Sequence, residues 1–125
     1  MIVPLLLAAA VAAPPRAIPD CLGKPVVKPR QVVLACADAN FGIRKLRWRR
    51  WRTTTARATG IAYANDCKPT CAAGHFHTYR AVLVASGRHV CHGIPVYAEV
   101  RIAFPGKSPY PKATRKDLTY PRPCR

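Results

Sequence analysis

From Gln31 onward, short apolar runs alternate with turn signals at the spacing of antiparallel strands, and no stretch keeps a 3.6-residue period for three turns. The cleanest alternation is Ile94–Phe104. There Val96, Ala98, Val100, Ile102 and Phe104 fall on one face and Tyr97, Glu99, Arg101 and Ala103 on the other, the pattern of a strand between a core and water. Similar segments span Gln31–Ala37, Ile43–Trp51, Thr55–Ala64 and His75–Ala85, punctuated by Asp38-Ala39-Asn40 with Gly42, by Asn65-Asp66 and by Ser86-Gly87. These elements predict an all-β fold, a small antiparallel β-sandwich or open barrel of five to six strands.

The ends of the chain break this pattern. Residues 13–30 carry Pro14, Pro15, Pro19, Pro25 and Pro29 and read as an extended arm, and residues 105–125 form a second Pro-rich stretch. In that basic tail only Lys116–Tyr120 is free to make an edge strand. The β-domain proper is therefore expected over 31–104. Residues 2–13 are wholly apolar apart from proline and are too short to span a bilayer as a helix, so residues 1–12 read as a secretory signal peptide. Ala10-Val11-Ala12 supplies the small-x-small cleavage pattern, and no Lys or Arg precedes residue 13.

Export changes the meaning of the cysteines. Cys21, Cys36, Cys67, Cys71, Cys91 and Cys124 are even in number and spread along the chain, as a disulfide framework requires. Six cysteines allow about 15 pairings. The turn-rich segment Asn65–Gly74 makes a local Cys67–Cys71 bridge sterically easy, Cys21 with Cys36 would tie down the arm, and Cys91 with Cys124 would tie down the tail.

The 125 residues hold 21 Lys and Arg against 5 Asp and Glu, a formal charge of +16, while half of them are apolar or aromatic. That is a basic chain able to build a core, not the composition of a disordered one. With so few carboxylates, acid pairs for glycoside hydrolysis and oxygen cages for calcium are hard to assemble. Neither a Gly-rich phosphate loop nor a Gly-x-Ser-x-Gly elbow around Ser86 or Ser108 is present.

Most unusual is Arg44–Arg52, where six of nine residues are cationic and two are Trp. A helix would scatter Ile43, Leu46, Trp48 and Trp51 around its axis. A regular strand puts Leu46 and Trp48 on one face and Lys45, Arg47, Arg49 and Trp51 on the other. Like charges in a row repel, so a polyanion would relieve them, with Arg44, Lys45, Arg47, Arg49, Arg50 and Arg52 as forks for phosphate, sulfate or carboxylate and Trp51 as a stacking platform. The plain alternative is a solvated strand face with Trp48 in the core.

Three other chemistries are compatible with the residues. Cys67, Cys71, His75, His77, Cys91 and His92 could be written as a metal-ligand set, but their spacing fits no finger or ribbon, and oxidised thiols bind no zinc. Glu99, the single Glu of the chain, with Arg101, Tyr97 and a His would suit a small secreted ribonuclease; Glu-x-Arg on a strand is more often a plain ion pair. The loop Cys67–Gly74 would suit a protease-inhibitor-like module.

The segments Val-Leu-Ala-Cys-Ala-Asp-Ala-Asn (33–40), Leu-Arg-Trp-Arg-Arg-Trp (46–51) and Asn-Asp-Cys-Lys-Pro-Thr-Cys-Ala-Ala-Gly (65–74) resemble small secreted actinobacterial proteins of uncharacterised function. The resemblance covers residues 31–85 and implies export and a shared framework without assigning a reaction. It also implies a framework role for both Trp and makes the Arg around them particular to this chain. The expectation is a secreted, monomeric, non-enzymatic domain without a cofactor, binding an extracellular anionic partner such as nucleic acid, acidic cell-wall polymer or an anionic lipid surface.

Overall fold

The computed structural model describes residues 1–6, 15–109 and the backbone of 117–121. The expected cleavage site at residues 10–12 and Cys124 lie outside the described residues. Strands appear at Ile18–Pro19 (β1), Pro25–Val26 (β2), Val32–Val33 (β3), Phe41–Trp51 (β4), Thr55–Asn65 (β5), Phe76–Ser86 (β6), His89–Cys91 (β7), Ile94–Val96 (β8), Glu99–Ala103 (β9) and Asp117–Pro121 (β10). Among the described residues there is no helix, and none long and apolar enough to cross a membrane.

One curled antiparallel sheet in the order β10-β9-β6-β5-β4-β3 dominates, with two-stranded pairs β1-β2 and β7-β8 beside it. Its inner face is built on a large-against-small rule. The central strand β5 offers Ala56, Ala58 and Ala62, and register sets these beside Trp51, Trp48 and Ile43 on β4 and beside Ala85, Leu83 and Tyr79 on β6. Alanines at the middle of the sheet leave the depth that the indole and branched side chains fill. Ile43, Leu83, Val100 and Ile102 are fully buried there.

The three long strands follow the sequence pattern within a residue or two. The first segment does not: of Gln31–Ala37 only Val32–Val33 pairs, with Ile43 and Gly42. Leu34 and Ala35 both donate to the Phe41 carbonyl oxygen (2.9 and 3.1 Å), and Ala35 accepts from Ala39, so the chain turns there. The Pro-rich stretch is packed against the sheet. Ile18 and Pro19 are buried, Pro29 accepts from Trp48 Nε1 (2.8 Å), and Arg30 accepts from the Leu46 N–H (2.9 Å).

The expected single strand Ile94–Phe104 is in fact two. His92 and Gly93, both at positive φ, form the two-residue turn of the β7-β8 hairpin. Ala17 then donates to Pro95 (3.0 Å) and accepts from Tyr97 (2.9 Å), drawing β8 away from the main sheet before β9 joins it. Alternation consequently fails at Val96-Tyr97, both fully buried, and resumes from Glu99. Tyr97, expected beside Glu99 on the polar face, belongs to the core, where its hydroxyl donates to the Arg52 carbonyl oxygen.

Disulfides join Cys21 to Cys36 and Cys67 to Cys71. Cys91 is not a free thiol; its expected partner, Cys124, is outside the described residues. The short tail strand forms as an edge, β10 pairing with β9 from Asp117↔Ala103 to Pro121↔Glu99.

Candidate functional site

The cationic segment owes its geometry to two irregularities in β4. Between Arg44↔Ile61 and Arg47↔Thr59, and again between Trp48↔Ala58 and Trp51↔Ala56, β4 uses three residues where β5 uses two. Lys45 takes a positive φ of 54° at the first bulge. Each extra residue resets the parity, so outward positions recur every third residue: Arg44, Arg47 and Arg50.

This corrects two expectations drawn from a regular strand. The outward set in register is not Lys45, Arg47 and Arg49; Lys45 and Arg49 are exposed bulge residues, and Arg52 follows the strand. Trp51 is not on the cationic face. It lies inward with Trp48, ring centroids 4.7 Å apart and edge-to-face, and packs on the core. It is therefore unavailable as a platform for a ligand.

Register adds residues that the linear segment does not contain. On the outer face Arg50 pairs with Arg57, Arg57 with Val84 and Val84 with Arg101, one continuous row over four strands. The next row is Arg47, Thr59, Val82 and Ala103, and the next Arg44, Ile61 and Arg80. Successive rows are about 7 Å apart, two residues of strand rise. All six guanidinium-bearing residues are exposed, and among the described residues no carboxylate lies within ion-pair distance of them. Two acidic residues border the face in register: Glu99, opposite Ser86, and Asp117 on β10, opposite Ala103 of the Arg47 row.

Between the arginines the floor is apolar apart from Thr59. Arg57, Val82, Val84, Arg101 and Ala103 line a shallow depression of about 480 Å³. Beyond the Arg44 row the face ends in two aromatic rings. Tyr63 and Phe76 lie 6.1 Å apart at 59°, and the Arg44 guanidinium is 6.0 Å from the Tyr63 centroid. Tyr63 fits because its partner across the ladder is Gly42: a Cβ there would collide with the ring and lie 2.8 Å from the Val32 carbonyl oxygen. Phe76 is 56% exposed.

The other candidate groups are elsewhere. Glu99 and Arg101 do share the outer face of β9, but His77 is at the far end of β6, opposite Ala64, and His75 just precedes that strand. Both imidazoles turn to Asp66: His77 Nε2 lies 3.0 Å and His75 Nδ1 3.9 Å from its Oδ2. Asp66 also accepts from the His75 and Lys68 N–H groups (3.0 and 3.1 Å). The His75 N–H bond first, then His77 and Lys68, hold this carboxyl well below the usual carboxylate range. Asn65 braces the Cys67–Gly74 loop from within, accepting from Cys67 N–H (2.9 Å) and donating to the Cys71 carbonyl oxygen (2.7 Å). Of the thiols in the metal-ligand alternative, Cys67 and Cys71 are oxidised to each other.

No protein-family model, no curated protein and no solved structure matches the chain.

Proposed function

We propose that this chain is a secreted, non-enzymatic β-domain that binds an extracellular anionic partner on the outer face of its main sheet. The observation that carries the reading is the convergence of Arg44, Arg47, Arg50, Arg57, Arg80 and Arg101, from four strands, on one face, with no ion-pair partner for them among the described residues. Directly opposed like charges such as Arg50 and Arg57 repel, and an anion relieves them. Guanidinium forks accept phosphate, sulfate and carboxylate in bidentate fashion. The two disulfides favour an oxidising compartment, which supports export. Residues 31–85, through their resemblance to small secreted actinobacterial proteins, belong to the same proposal.

Retention on immobilised heparin between about 50 and 500 mM salt tests it, because polyanion binding weakens steeply as salt rises. Replacing Arg50, Arg57 and Arg101 by Gln should lower the eluting salt markedly. Replacing the exposed Lys24, Lys68 and Lys107, which removes the same charge elsewhere, should lower it much less. Equal losses from the two triple variants, or retention insensitive to salt, would refute a binding face.

A further inference from the structure

The outer face is more than a field of charge. Its three arginine rows run into the Tyr63–Phe76 pair, so a chain lying along the strands would meet guanidinium groups at intervals of about 7 Å and then exposed aromatic surface. Sulfated sugars and acidic wall polymers have no flat ring for Phe76, and a duplex keeps its bases stacked on one another. An unpaired nucleic-acid strand has both components: phosphates for the arginines and bases free to stack. From this we infer that the outer face takes single-stranded nucleic acid, a base stacking on Phe76 and the following phosphates lying over Arg44, Arg80, Arg47 and the Arg57–Arg101 row.

Several features fit that occupant. Phe76 presents more than half of its surface to solvent, whereas its neighbour Tyr63 is largely buried, so one ring is held while the other is free to receive a base. Arg44, in the arginine row next to the aromatic pair, lies within cation–π distance of Tyr63, and the bulge that follows it returns Arg47 to the same face. Gly42 leaves room for the Tyr63 ring to lie against β4 beside Phe76. The floor of Ile61, Val82 and Val84 offers no base-edge donors or acceptors and Thr59 and Thr78 add only single hydroxyls, so recognition should depend on strandedness more than on sequence.

This inference rests on the anionic-partner reading, and its test separates the two. Fluorescence anisotropy on the full-length protein at one fixed salt compares a labelled oligothymidylate of about 15 nucleotides, a blunt duplex of the same length, and heparin as competitor. The single strand should bind more tightly than the duplex. Phe76→Ala should weaken oligothymidylate binding about tenfold and leave heparin retention unchanged, and Phe76→Tyr should restore it. If the duplex binds as well as the single strand, or Phe76→Ala changes nothing while heparin is still held in a salt-dependent way, the single-strand inference is wrong and the anionic face stands. If the arginine triple variant holds both heparin and oligothymidylate as well as the unaltered protein does, both readings fall together.

Discussion

The Trp51 ring meets the Tyr97 ring edge-on, centroids 5.3 Å apart and planes at 88°. One ring comes from the strand that carries the arginines and the other from the segment linking β8 to β9, so the contact ties the cationic strand to the far side of the core. The Tyr97 hydroxyl strengthens the tie by donating to Arg52, the residue after Trp51. Holding Trp51 inside is what leaves Arg50 and Arg47 facing solvent.

The two indoles differ in one respect that mutation can read. Trp48 Nε1 donates to Pro29, whereas Trp51 Nε1 is buried without an acceptor among the described residues. Both Trp→Phe variants lose ring volume, but Trp48→Phe also orphans a carbonyl and Trp51→Phe removes an unpaired donor. Urea unfolding should therefore find Trp48→Phe less stable than Trp51→Phe by about 1 kcal/mol. Neither variant should alter heparin retention of the folded protein; loss of retention in Trp51→Phe would return that ring to the binding face.

Tyr97→Phe leaves the Arg52 carbonyl unpaired and should cost about 1–3 kcal/mol in the same measurement. Burial raises the phenol's pKa above 10.0, only partly opposed by the charge of Arg16. A group whose pKa is raised on folding stabilises fully below its unfolded value and loses that contribution as pH climbs toward the folded value. Stability should thus decline above about pH 10 in the unaltered protein and more shallowly in Tyr97→Phe. Identical alkaline limbs would show that Tyr97 is not the group responsible.

Asp66 gives the acidic counterpart. Its pKa is depressed, so the interactions it makes persist above the ordinary value of 3.8 and fade as pH falls toward the lower folded value. Carboxyl-carbon NMR titration should find Asp66 still ionised at pH 3.8, where a free Asp is half protonated. Asp66→Asn should broaden the amide signals of Lys68 and His75 at neutral pH, since the stronger charged acceptor is gone. An ordinary midpoint for Asp66 would mean these bonds do not form in solution.

The two disulfides should contribute unequally. Cys21 and Cys36 are separated by 15 residues and Cys67 and Cys71 by 4. Loop-closure entropy then assigns about 3 kcal/mol to the first bridge and about 2 kcal/mol to the second. Paired Cys→Ser variants followed by chemical unfolding check the order, and the reverse order would show that native packing outweighs chain entropy here.

How far the sequence could be read depended on the range over which each feature is decided. Alternation located Phe41–Trp51, Thr55–Asn65 and Phe76–Ser86 closely, because a half-buried strand writes its own period of two. Turn chemistry was enough for the Cys67–Cys71 bridge, whose partners are near neighbours, and the arm bridge Cys21–Cys36 formed as expected. Arg44, Arg47 and Arg50 were conspicuous as a charge run. Arg57 and Arg80 were not, since nothing in their neighbourhoods marks them, and Arg101 stood out only as a companion of Glu99.

By itself, the order of residues determined an all-β chain with a cationic strand and a cross-linked frame. Tertiary structure decided which way that strand faces and what joins it. The two bulges of β4 set Trp48 and Trp51 inward beside the alanines of β5 and reverse the parity on which a regular alternation depends. The row Arg50–Arg57–Val84–Arg101 exists only through cross-strand register, which brings together residues from four separate stretches of the chain. Periodicity is local and can be read along one strand, whereas a binding face on a sheet runs across strands and is set by how they pair.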